Sequence, residues 1–169
     1  MDFVYKKANL ADLERIWDKN IKEHKGDKRW IKWKKEMIEN NRNSKAATFI
    51  VVCNNEPVGE GSVLLSPKCK AVRNRKKLCD GKDTANLNAL RIQKEYEGKG
   101  HISKLVKEIE KYALSAGYSY LTIGVEAKET RNLAIYLHWG YNEFIMSAKE
   151  DGKLVLYFQK KLNKKLRLN

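Results

Sequence analysis

The chain has 169 residues, 42% of them hydrophobic, with 35 Lys and Arg against 21 acidic residues and a formal charge of +14. That length suits one domain with a real core. No run of about 18 apolar residues exists to span a bilayer, and Met1-Asp2-Phe3-Val4 lacks a basic leader followed by an apolar stretch, so a cytoplasmic protein is expected. Cys53, Cys69 and Cys79 are an odd set without C-x-x-C spacing, which suits reduced thiols better than a zinc site or a disulfide framework, a Cys69–Cys79 link being left open.

Phe3 to Lys7 reads as a first strand. Asn9 then caps a helix whose stripe is Leu10, Leu13, Ile16, Trp17 and Ile21, with Asp12 answering the cap. A second helix is predicted over Arg29 to Asn40. Ala47–Cys53 and Val58–Leu65 flank the turn-forming tetrad Asn54-Asn55-Glu56-Pro57 and read as an antiparallel hairpin. Ser66 to Thr84 shows no sustained periodicity and reads as a long connection, of the kind that is either mobile or borders a site.

Asn86 to Ile92 alternates and runs into Gly98-Lys99-Gly100, after which Ile102, Leu105, Val106, Ile109, Tyr112 and Ala113 recur at helical spacing until Gly117. This is a strand, a glycine turn and a helix N-terminus. Such a turn bares backbone N–H groups at the positive end of the helix dipole, and phosphate is their natural occupant. Leu121, Ile123 and Val125 give another strand, Asn132 to Trp139 a short helix stopped by Gly140. Phe144–Met146 and Leu154–Phe158 form a closing hairpin around Glu150-Asp151-Gly152.

The pattern L-x-I-x-x-x-Y before the glycines, S-x-L after them, and Asn132-Leu133-Ala134-Ile135-Tyr136-Leu137-His138-Trp139-Gly140-Tyr141 further on resemble the GNAT family of acyl-CoA-dependent N-acyltransferases. The resemblance implies an α/β fold, a mixed, mostly antiparallel sheet with splayed central strands and helices on both faces, spanning residues 1–160 before a basic tail at 161–169. It implies acetyl-CoA as co-substrate, with no metal, and acetyl transfer to a primary amine of a small molecule or peptide by direct attack in a ternary complex. Leu90, Ile92, Glu97, Gly98, Lys99, Gly100, His101, Ile102, Ser103 and Asn132 would then surround the cofactor, with amides from Gly98 to Ser103 on its pyrophosphate and one near Ile92 on the thioester oxygen. The family motif usually has Arg or Gln at the place of Glu97 and Gly or Ala at that of Ile102.

Tyr136, four before Gly140, falls where many members carry the tyrosine that protonates the departing thiolate; a phenol of pKa about 10 is protonated at neutral pH. Many relatives carry Glu at the position of Asn88, and an amide cannot take a proton. Glu126, directly or through water, is the leading base, and Asn88 and Glu126 are the expected acceptor contacts. His101 and His138 titrate in the right range, but one sits in the phosphate turn and the other beside the acid; a water relay stays open.

Two other functions remain in view. One is a CoA sensor that has lost catalysis. The other is acetylation of an aminoacyl-tRNA, because Lys68, Lys70, Arg73, Arg75, Lys76 and Lys77 cluster, as do Lys160, Lys161, Lys164, Lys165 and Arg167. No nucleic-acid motif accompanies these lysines, so a solvated basic surface is the expectation, on a monomer or a homodimer.

Overall fold

The computed structural model describes residues 2–163, so Lys164, Lys165 and Arg167 of the basic tail lie outside the described residues. Strand β1 (Phe3–Lys7) leads to α1 (Leu10–Glu23), whose capping box is reciprocal: Asn9 Oδ1 accepts from the Asp12 N–H at 2.8 Å and Asp12 Oδ2 from the Asn9 N–H at 3.1 Å. Leu13, Ile16 and Trp17 form its buried face. Leu10, expected in that stripe, is 41% exposed. Helix α2 (Arg29–Arg42) runs two residues past the expected end and buries Met37 and Ile38.

The hairpin of β2 (Ala46–Cys53) and β3 (Glu56–Leu64) turns on Asn54 and Asn55 alone, at φ of 49° and 64°, the left-handed geometry asparagine tolerates. Glu56 and Pro57, read as part of the turn, already belong to β3. The remaining elements are β4 (Thr84–Ile92), α3 (His101–Ser115), β5 (Tyr120–Glu126), α4 (Thr130–His138), β6 (Glu143–Glu150) and β7 (Lys153–Lys161). They complete a seven-stranded sheet of order β1-β2-β3-β4-β5-β7-β6 in which only β4 and β5 pair in parallel. One core lies between the sheet and α3, around Val63, Leu105 and Ile109; the other lies under α1 and α2, around Trp17, Met37 and Leu64. No helix among the described residues is long and apolar enough to cross a membrane.

Strand β7 runs through Lys161 and Leu162 is buried, so the basic tail begins later than the sequence implies. The connection 66–83 is not loose. Cys69, Val72, Leu78 and Cys79 are buried in it, Thr122 Oγ1 donates to the Leu78 carbonyl at 2.7 Å, and the Asp80 carboxylate accepts from the amides of Lys82, Asp83 and Thr84. All three cysteines are free. Burial raises the Cys79 thiol to about 11, which keeps it protonated and unreactive.

Two irregularities shape the middle of the sheet. Ser62 pairs with Asn88 and Glu60 with Arg91, so β4 carries one extra residue there, with Ala89 at φ 57°. Such a bulge bends its strand and re-aims the side chains beside it. Then β4 and β5 separate: their pairing covers Thr84–Leu87 against Tyr120–Ile123 and stops. Beyond it β4 stays with β3 as far as Ile92, and β5 stays with β7 as far as Glu126. A wedge opens between them.

Candidate active site

The wide end of the wedge meets the glycine turn. Gly98 and Gly100 adopt φ of 71° and 79°, and a Cβ on either would meet no atom within 4 Å. Glycine is therefore needed for backbone conformation, and the space in front of it is open. Gly100 is the N-cap of α3 and supplies no side chain to cap it. Among the described residues, none of the backbone N–H groups from Gly98 to Ser103 has an acceptor; the first helical bond runs from the Lys104 N–H to the Gly100 carbonyl. Six successive donors at a helix N-terminus suit an anion.

A cleft of about 760 Å³ leads away from these amides, lined by Leu90, Ile92, Glu97, Gly98, Gly100, His101, Ile102, Ser103, Asn132 and Tyr136 among others. Lys99 is absent from that lining, because its ammonium turns back to the Glu95 carbonyl at 2.7 Å. His101 takes part through its backbone. Its ring is buried against Phe3, with centroids 4.1 Å apart, and Nδ1 bonds the Tyr5 hydroxyl at 2.8 Å; burial, then Lys104 and Lys99, push its pKa down. Ile102 packs partly against the core while also lining the cleft. Asn132 is exposed and donates to Glu129 at 2.6 Å. Arg131, His138 and Trp139 also line the cleft. Arg131 was not singled out in the sequence, because nothing local separates it from the other surface cations.

Inside the wedge is a cavity of about 230 Å³ between Asn88–Leu90 of β4 and Ile123–Glu126 of β5, closed by Tyr136, Glu150 and Tyr157. The Tyr136 ring is half-buried beside Trp139, with centroids 5.7 Å apart, and its hydroxyl has no hydrogen-bond partner among the described residues. Burial, with Glu129 adding, raises its pKa, so it is a phenol rather than a phenolate at neutral pH. Glu126 reaches the wedge in ion pairs with Lys153 at 2.7 Å and Lys128 at 3.6 Å. The Lys153 hydrogen bond holds its carboxyl below the usual range, against the opposing effect of burial, so it is ionised but weakly basic. Asn88 is half-buried on the opposite, β4 wall.

Gly124 is required here for packing. A Cβ would lie 2.6 Å from Tyr157 Cε1, and that ring is pinned by its hydroxyl, which donates to Glu150 at 2.6 Å, while Arg75 bonds the same carboxylate. Burial opposes ionisation of Glu150, but the Tyr157 hydroxyl and Arg75 outweigh it and hold the carboxyl down.

Asn88, Ala89, Glu150 and Tyr157 also line a third cavity of about 320 Å³ on the α1–α2 face, so the two cavities share a wall. Arg91 lines the third cavity and is paired from behind. The fully buried Glu60 accepts from Arg91 at 2.7 Å and from Asn20 at 2.6 Å. The Arg91 guanidinium lies 4.9 Å from the Trp17 ring centroid and 4.8 Å from that of Trp30, on which His24 stacks at 3.8 Å. Trp30 is thus an inward clamp. Glu60 within an apolar strand was a visible signal, but its partner depended on a register that the bulge sets.

A family model described as "Acetyltransferase (GNAT) family" matches residues 9–141. No curated protein has a significantly similar sequence. Among solved structures, ribosomal-protein-alanine N-acetyltransferase from Brucella melitensis superimposes with a TM-score of 0.70 at 17% identity, covering 94% of this chain and 99% of that one. An aminoglycoside 6'-N-acetyltransferase complexed with coenzyme A gives 0.66 at 14% identity, covering 95% and 97%. The PaiA N-acetyltransferase of Thermoplasma acidophilum, in complex with coenzyme A, gives 0.63 at 15% identity, covering 95% and 99%. At such identities the likeness is one of fold.

Proposed function

The chain belongs to the acetyltransferase (GNAT) family, and from that premise we propose that it transfers an acetyl group from acetyl-CoA to a primary amine by direct attack in a ternary complex. The observation that carries this reading is the run of six amides, without acceptors among the described residues, at the mouth of a split between two parallel strands. The residues present fit the cofactor: the amides of Gly98 to Ser103 suit its pyrophosphate, and the strand edges beyond Leu87 and Ile123, unpaired with each other, suit an amide-bearing arm. When bound, acetyl-CoA supplies an activated acyl group and a thiolate leaving group.

The protein's share is positioning and proton management. An N–H near Ile92 is the donor to the oxygen that gains charge during attack. Tyr136 donates its phenolic proton to the sulfur as the C–S bond breaks. Asn88 orients the acceptor without taking a proton, and the amine's proton leaves through water, with Glu126 as a charged, weakly basic end to that relay. The CoA-bound neighbours support this cofactor, and the enzymes among them support this reaction class.

A binding-only role is the second reading, favoured by one observation: the wedge carboxylates Glu126 and Glu150 are both held by cations, so neither is a strong base. An RNA-directed role is less supported, since Lys70 pairs with Glu36 and Arg75 with Glu150. Release of free CoA across a panel of amines, amino acids, peptides and aminoacyl-tRNA, with acetyl-CoA binding followed by calorimetry, decides between them. Turnover with an amine establishes the enzyme. Binding without turnover on any acceptor establishes the second reading, and no binding at millimolar acetyl-CoA refutes both.

A further inference from the structure

We infer that the acceptor is a carboxylated amine of amino-acid size with an apolar or aromatic side chain, held in the cavity on the α1–α2 face with its carboxylate on Arg73; this rests on the acetyl-transfer reading above. That cavity, about 320 Å³, adjoins the wedge, with which it shares Asn88 and Tyr157 as lining. Its volume is at the low end of small-ligand pockets, which run from about 300 Å³ upward.

Charge accounting identifies the ligand class. Each of the two carboxylates that line the cavity already has a close cation: Glu36 has Lys70 at 3.0 Å, and Glu150 has Arg75 together with the Tyr157 hydroxyl. An incoming polycation therefore finds no uncompensated carboxylate in the lining. Arg73 is different. It caps the short 3-10 turn Lys70–Val72, its side chain is 46% exposed, and its approaches to Glu150 and Asp151 are long, at 3.9 and 4.0 Å, with no hydrogen bond among the described residues. A guanidinium with unused paired donors matches a carboxylate bidentately. Trp33, 37% exposed, and Met37 line the same cavity and give it an apolar part.

The test compares phenylalanine with phenethylamine, which lacks only the carboxylate, and with spermidine, by acetyl-CoA turnover. The same choice is read without turnover by the CoA-dependent affinity of N-acetylphenylalanine against N-acetylphenethylamine. Those products have no titrating amine, so their ratio isolates the carboxylate, and it is readable even if no acetyl group is transferred. The expected result is tighter binding of the carboxylated product by about tenfold or more, the strength of a charge-assisted contact. Arg73→Asn should collapse that ratio. Asparagine tolerates the left-handed backbone that Arg73 adopts at φ 53°, so the variant removes the guanidinium without new strain. In turnover, the loss should appear in the KM for phenylalanine rather than in kcat. Equal affinities for the two products, an unchanged ratio in Arg73→Asn, or spermidine as the better substrate would each overturn the assignment.

Discussion

Replacing Tyr136 with Phe removes one oxygen from a half-buried ring, and the two roles of that oxygen predict different numbers. A structural hydroxyl stabilises the fold through its hydrogen bond, roughly 1 kcal/mol net, and its loss would lower the melting temperature by about 2–4 °C in a domain of this size. The Tyr136 hydroxyl has no such bond among the described residues, while its ring keeps its contact with Trp139 at a 5.7 Å centroid distance. The melt should therefore barely move. A general acid contributes about a hundredfold or more to the rate, close to 3 kcal/mol of barrier. Single-turnover thiol release, measured beside thermal melts and acetyl-CoA calorimetry, should show that loss in the chemical step with affinity nearly intact. Unchanged turnover in Tyr136→Phe would remove the residue from the mechanism and leave solvent as the acid. A lower melting temperature without a rate effect would make it a core tyrosine.

Gly100→Ala meets no protein atom but holds a non-glycine residue at φ 79°, so melts should show a loss of about 1–2 kcal/mol and calorimetry a weaker acetyl-CoA complex; full affinity would mean the amides do not face the ligand. Gly124→Ala drives a methyl to 2.6 Å from a ring pinned by Glu150, an overpacking cost of about 1–3 kcal/mol by denaturant unfolding, with activity falling as Tyr157 is displaced. Glu126→Gln should cost less than about tenfold in kcat/KM, because Lys153 already depresses this carboxyl and makes it a poor base. The rise of rate with pH should stay where the wild-type rise is, tracking the amine; a hundredfold loss, or a shifted acid limb, would make Glu126 the base.

The parts of the molecule legible in the sequence are those whose signals are local. The Asn9 cap, the Asn54-Asn55 and Asp151-Gly152 turns and the glycine pair ahead of α3 each report the backbone geometry of their own few residues, and the structure has all of them. What stayed hidden depends on register or on packing between distant segments. The connection 66–83 lacks periodicity because it is anchored by single buried side chains and by Asp80 rather than by a repeating face. Arg91 reads as an exposed strand cation until the extra residue at Ala89 sets it across from Glu60. Arg75 and Glu150 meet across 75 positions of sequence. Tyr157 reads as one more apolar strand residue, and its place in the wedge follows only from Gly124 opposite it.

The most direct test of the central claim is an amide chemical-shift titration of the isotope-labelled protein with acetyl-CoA. The account predicts saturable shifts that are largest at the N–H groups of Gly98 to Ser103, where six donors lack acceptors, and along the wedge edge of β4 near Ile92. Saturation with those amides unmoved, or no shifts at millimolar acetyl-CoA, would contradict it.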